Sequence, residues 1–178
     1  MYQGVLEFWF EELTPAQWWR KDAALDAAIA ERFGQLHRRA CQGELFEWRL
    51  IAPGRLAEII VLDQFSRNIY RGEPNAFAAD GMALVLAQEA IAQGAEQALS
   101  QQQRLFLYLP FMHSESLNIH DQALALFERL GFADNLDFEH RHRNIISRFG
   151  RYPHRNAILG RPSTPEEREF LKQPGSGF

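Results

Sequence analysis

The sequence predicts an all-α fold, and three observations carry that prediction. Apolar residues recur at helical spacing in stretches punctuated by glycine and proline. No segment alternates apolar and polar residues as a half-buried strand does. At 178 residues, 46% hydrophobic and 12% aromatic, the chain is long and apolar enough for one domain with its own core. The expectation is a single all-helical domain over residues 1–178, with seven to nine helices arranged largely as antiparallel hairpins.

In chain order, Val5 to Glu12 reads as a short aromatic helix, and Pro15 opens the next turn, which carries Trp18 and Trp19. Asp22 is placed to cap a helix running to about Cys41, with Leu25, Ile29, Phe33, Leu36 and Ala40 as its inner stripe. Pro53 starts a helix to about Ile69. Its first half, LAEIIVL, is apolar nearly all round and is expected at the centre of the fold. A helix from about Asn75 to Gln93 is expected to bury Phe77, Leu84 and Ile91. Gln101 to Leu109 follows, limited by Pro110. The helix Leu117 to Leu130 ends at Gly131. The next is capped by Asp134 or Asp137 and carries the stripe Phe138, His142, Ile145 and Phe149 before Gly150. Thr164-Pro165-Glu166-Glu167 is a capping box at the start of the last helix, docked by Phe170 and Leu171. The tail to Phe178 reads as loose except for that final aromatic.

Composition excludes several functions. A formal net charge of -4 argues against general nucleic-acid binding. Cys41 is the single cysteine, which fits a reducing compartment. No basic leader and no bilayer-length apolar run occurs, so the expectation is a cytoplasmic protein with no membrane partner. The six histidines include His113-Ser114-Glu115 and His140-Arg141-His142, but positions two apart on a helix diverge, so no metal is expected. No phosphate-binding or dinucleotide fingerprint occurs, and no cofactor is expected.

Charge is distributed unevenly. Between His140 and Arg161 there are six arginines and no carboxylate, and the whole chain has seventeen arginines against two lysines. Arg presents a planar fork that fits carboxylate or phosphate. The core of this cluster is RFGRYPHRNAILGR, 148–161, with an echo upstream in LDQFSRNIYRG, 62–72. In the latter, the buried stripe of Leu56 and Ile60 runs on to Asp63 and Arg67, an intrahelical pair in the favourable order. Asp80 falls on the inner side of the helix that follows.

These residues support three readings. The leading one is a binding module in which Arg67, Asn68, Arg71, Asp80, Arg151, Arg155, Asn156 and Arg161 hold a small anionic ligand or the end of an acidic peptide. The second is a small-molecule, hydrolase-like enzyme that uses a His–carboxylate pair drawn from His113, His154, Asp63 and Glu115. The third is a protein-interaction scaffold in which Asp63, Asp80 and Glu115 neutralise the arginines as a structural network.

The chain resembles the bacterial DUF924 family over nearly its whole length. The resemblance rests on VLEFWF at 5–10, LDQFSRNIYRG at 62–72, the Ala76-Phe77 and Asp80 positions, YLPFMHSES at 108–116 and RFGRYPHRNAILGRPSTPEEREFL at 148–171. The family usually has Pro where Ser66 stands. The resemblance implies a tetratricopeptide-like array of helical hairpins. It also implies site candidates at Asp63, Gln64, Arg67, Asn68, Arg71, Asp80, His113, Glu115, His142, Arg151, His154, Arg155, Asn156 and Arg161. It brings no substrate with it.

Overall fold

The computed structural model describes residues 1–177. Among these residues there is no strand, and the fold is all-α, as expected. Phe178, the aromatic end expected to anchor the tail, lies outside the described residues. The helices are α1 (Tyr2–Glu7), α2 (Pro15–Trp19), α3 (Ala23–Cys41), α4 (Ala52–Ile60), α5 (Ser66–Ile69), α6 (Asp80–Ala92), α7 (Gln101–Met112), α8 (Leu117–Leu130), α9 (Ala133–Phe149) and α10 (Pro165–Phe170). The chain groups into two compact units. The first is Met1–Arg71 with Asn75–Pro110, and the second is Gly72–Pro74 with the chain from Phe111 onward.

In the first unit, α1 runs directly into a π-helical turn, Phe8–Glu12. The sequence places a single helix here, and the π turn inserts one extra residue into it. Thr14 and Gln17 exchange bonds in a capping box at the start of α2. Asp22 caps α3 as expected, its Oδ1 accepting from the Ala24 and Leu25 amides at 3.0 and 3.2 Å. Of the expected inner stripe of α3, Ile29, Phe33 and Ala40 are buried and Leu25 and Leu36 half-buried, and Cys41 is exposed.

The centre of this unit is α4, a second π turn (Val61–Phe65) and α5, one continuous run. Every residue from Leu56 to Ser66 is buried, which matches the apolar-all-round reading of LAEIIVL. The two π turns pack on each other through rings: Phe8 to Phe65 at 6.1 Å and Trp9 to Phe65 at 5.6 Å between centroids. A short 3₁₀ turn, Phe46–Leu50, lies so close to α4 that a Cβ on Gly54 would stand 2.1 Å from the Trp48 carbonyl oxygen.

Two helices depart from expectation. α6 starts at Asp80, after a 3₁₀ turn at Pro74–Ala76, and its buried residues are Ala83, Ala87 and Ala90. Phe77, Leu84 and Ile91 are only half-buried. Alanines let α6 approach α4 closely, so small size rather than hydrophobic bulk marks the inner face. α7 continues through Pro110 to Met112. So near the helix end, the proline removes one backbone hydrogen bond and its fixed φ suits the helix.

In the second unit, α8 and α9 form a hairpin joined by Gly131 and Phe132. Gly131 (φ 80°) and Gly150 (φ 68°) close the two helices in the left-handed conformation. Neither Asp134 nor Asp137 caps α9. The cap position is Phe132, Asp134 lies in the first turn, and Asp137 pairs with Arg141 at 2.6 Å. The inner face is also turned by one position. Phe138 is 46% exposed and Glu139 is fully buried. Ile145, Ile146 and Tyr152 form an apolar cluster here, with Phe149 and Phe170 packed against it. Thr164 and Glu167 make the expected capping box of α10.

Candidate functional site

Each unit holds a polar cluster built from the residues singled out in the sequence. In the first, Arg67 grips Asp80 with both arms, Nη1 to Oδ1 at 2.8 Å and Nη2 to Oδ2 at 3.0 Å. The same Nη1 lies 3.1 Å from Asp63 Oδ1, one helical turn back, so the intrahelical pair forms as predicted. Gln64 donates to Asp63 Oδ2 at 2.6 Å. Arg71 grips Asp26 through Nε (2.5 Å) and Nη2 (2.8 Å), and Asn68 donates to the same carboxylate at 2.8 Å. Burial raises the Asp26 pKa, but the bonds from Arg71 and Asn68 outweigh it and hold the carboxyl below its ordinary range.

Beside this cluster, Ser66 donates its hydroxyl proton to the Leu62 carbonyl, so His37 Nε2 must donate to Ser66 Oγ at 2.7 Å. Burial pushes the His37 pKa down. Ser66 thus satisfies a buried histidine.

The second unit repeats the fork chemistry. Arg151 grips Glu167 through Nε (2.7 Å) and Nη2 (2.8 Å). Glu167 also accepts from the Thr164 amide at 2.8 Å and from Asn156 at 3.2 Å. The Arg151 guanidinium draws its pKa down to about 2. Arg161 grips Glu115 through Nη1 (2.7 Å) and Nη2 (2.9 Å), and Glu115 also accepts the Tyr152 amide at 2.7 Å. Burial raises the Glu115 pKa, and Arg161 with the Tyr152 N–H more than reverses that. Asn156 Oδ1 accepts from Arg161 Nε at 3.0 Å, which ties the two forks together.

Tyr152 is the hub between them. The Arg155 guanidinium lies over its ring at 4.7 Å, and the His142 and His154 rings stand 5.7 and 5.6 Å away. Arg155 also donates to the His113 carbonyl at 3.0 Å. His142 donates Nδ1–H to the Phe138 carbonyl at 2.6 Å, and burial drives its pKa down to about 3, so the ring is neutral. Underneath, His120 Nδ1 and Glu139 Oε1 are 2.6 Å apart, both side chains fully buried.

Thus Asp63, Gln64, Arg67, Asn68, Arg71 and Asp80 fall in the first unit. His113, Glu115, His142, Arg151, His154, Arg155, Asn156 and Arg161 fall in the second. His113 and His154 are half-buried, and Glu115 is engaged by a guanidinium and an amide. One His–carboxylate pair within hydrogen-bond reach in the second unit, His120–Glu139, is a pair the sequence reading passed over. Asp26, Tyr152 and Glu167 were missed as well. Glu139 carried a signal. Glu139, His142, Ile146 and Phe149 share helical spacing as well as the stripe through Phe138 does, but a hydrophobic rule discards the glutamate. Among the described residues, no group of three His, Cys, Asp or Glu is placed to hold a metal ion. No helix there is long and apolar enough to cross a membrane.

Fold and clusters together define an all-α protein whose arginine forks close on its own carboxylates. Residues 5–175 match the model of a family described as bacterial protein of unknown function (DUF924). The chain belongs to that family. A solved structure, of a protein of unknown function from Agrobacterium tumefaciens, is similar at 41% identity and a TM-score of 0.92, over 96% of each chain. No curated protein matches the chain.

Proposed function

We propose that the chain is a helical interaction scaffold whose arginine clusters are internal clamps. One observation carries this reading: Arg67, Arg71, Arg151 and Arg161 each close both arms on a carboxylate that is distant in sequence, Asp80, Asp26, Glu167 and Glu115. A bidentate fork already filled by a tethered carboxylate offers a diffusing anion little. On this reading the partner is a protein. The net charge of -4 supports that choice over nucleic acid or an anionic membrane. The exposed thiol of Cys41 supports a cytoplasmic location.

A second reading keeps the anion site and moves it to one place. Arg155, 6% exposed, shares the surroundings of Tyr152 with His142 and His154 and bonds the His113 carbonyl. That grouping of nitrogen-rich side chains favours a small carboxylate or phosphate there.

Thermal-shift measurements on the full chain separate the two. The scaffold reading expects no rise in melting temperature with millimolar phosphate, citrate or succinate, and a fall for Arg161→Ala. A rise with one of these anions, lost in a folded Arg155→Gln variant, overturns it in favour of the anion site.

A further inference from the structure

We propose that the second unit contains a binding site for a single proton, held between Glu139 and His120, whose loss above neutral pH weakens that unit. The inference starts from which atoms can donate. His120 Nε2 lies 2.9 Å from the Ser114 carbonyl oxygen, which only accepts. It also lies 3.1 Å from Tyr152 Oη, whose own proton goes to the Met112 carbonyl. Nε2 therefore carries a hydrogen. Nδ1 faces Glu139 Oε1 at 2.6 Å. Two lone pairs do not meet at that distance, so a proton lies between them. It makes either an imidazolium–carboxylate or an imidazole–carboxylic acid pair. In both cases the pair binds one proton beyond the one on Nε2.

Burial keeps it there. Both side chains are fully buried, and Glu139 Oε2 has no hydrogen-bond partner. A bare carboxylate in that place would be costly. Burial does push the Glu139 carboxyl above its ordinary range, and the bond to His120 only partly offsets it. The facing charged groups are His140 and Arg143 on α9, with Arg143 held by Asp121 of α8 at 2.7 Å. Beyond the hub stand His142, His113, His154 and Arg155, and Glu115 held by Arg161.

In an unfolded chain a glutamate titrates near about 4.3 and a histidine near about 6.5. Above about pH 6.5 the unfolded pair binds no proton, whereas the 2.6 Å contact in the folded pair requires one. Folding stability therefore falls as pH rises, up to tenfold in the folding constant per pH unit. Between about 4.3 and 6.5 both states bind one proton and the pair is indifferent to pH. His142 titrates only on the acid side, because it stays neutral in the fold down to about 3.

The test compares wild type with Glu139→Gln, whose amide N–H replaces the shared proton with one that does not titrate. Urea unfolding from pH 6.5 to 8.5 is expected to show a proton-linked loss in wild type that is reduced by up to tenfold per pH unit in the variant. Equal slopes overturn the proposal. Nitrogen NMR of histidine-labelled wild type is independent of whether the variant folds. Proton density on both ring nitrogens' hydrogen bonds of His120 at pH 7 supports the site, and a bare, unbonded Nδ1 overturns it.

Discussion

The two units use the same Arg–carboxylate forks but set them against different interiors. In the first, the forks border an aromatic centre in which Phe8, Trp9, Phe33, Phe65 and Phe106 meet, with centroid distances from 4.8 to 6.1 Å among neighbours. The first also buries Glu58 and Asp63, each against a guanidinium, whereas in the second a fully buried glutamate is paired with a histidine. His120, Glu139 and His142 are buried beside an apolar cluster of Ile145, Ile146 and Tyr152. An aromatic interior is stabilised by area removed from water, which does not depend on pH. A polar interior depends on each proton being where its partner needs it. The difference predicts that the first unit responds to volume and the second to charge. All four tryptophans, Trp9, Trp18, Trp19 and Trp48, lie in the first unit, so their fluorescence reports on it, while circular dichroism reports on the whole chain.

The largest effect is expected from His120→Ala. It leaves Glu139 buried without a partner, a change that costs roughly 3–5 kcal/mol in comparable pairs. Urea titration followed by circular dichroism checks this. A loss under about 1 kcal/mol, the ordinary surface range, would show that water reaches the pair and would erase the contrast between the interiors.

The matching break in the first unit is steric. Gly54→Ala sets a Cβ 2.1 Å from the Trp48 carbonyl oxygen, a backbone atom that a side-chain rotation cannot move away. The expected cost is about 1–3 kcal/mol, as for overpacked cores, and the tryptophan signal should shift with it. Unchanged stability would mean that the Phe46–Leu50 turn moves freely off α4.

A comparable effect is expected from Arg161→Lys, which keeps the charge and loses the fork to Glu115. Loss of one charge-assisted bond is worth roughly 1.5–3 kcal/mol. The double variant with Glu115→Gln should cost less than the sum of the singles, because both remove the same contact. Strict additivity would show that the fork is not a clamp.

On the acid side the two units behave alike, which bounds the comparison. His37 and His142 are both held below the ordinary histidine range by burial. Each therefore takes up a proton more readily in the unfolded chain than in the fold. Their stability is present above about pH 6.5 and is lost as pH falls below it, for His142 down to about 3. Tryptophan fluorescence and circular dichroism should both report weakening between pH 6 and 4. A fluorescence midpoint that stays constant over that range would remove His37 from the account.

How far the sequence reached follows the same division. The first unit's axis was legible, because LAEIIVL is apolar on all sides and its stripe ends in Asp63 and Arg67. So were the glycine stops at Gly131 and Gly150 and the box at Thr164 and Glu167, where local chemistry alone sets the structure. Pairings across long separations were not legible. Arg71 is 45 residues from Asp26, and Arg161 is 46 from Glu115, and no local rule names such partners. Hydrophobic patterning failed on α6, where alanines pack the interior, and on α9, where a glutamate does.

α9 allows the smallest and most direct test of that failure. Its sequence offers two adjacent registers, one through Phe138 and one through Glu139, both continuing to His142. Patterning chooses the phenylalanine, yet Phe138 is 46% exposed, with its ring 5.7 Å from the Arg141 guanidinium, and Glu139 is fully buried. Phe138→Gln should therefore cost about 1 kcal/mol or less, while keeping helix propensity close to that of the native residue. Glu139→Ala should cost more, because it strips His120 Nδ1 of its partner inside the unit. The reverse order would return α9 to the register that hydrophobicity chose and would place the phenylalanine, not the glutamate, at the interior of the second unit.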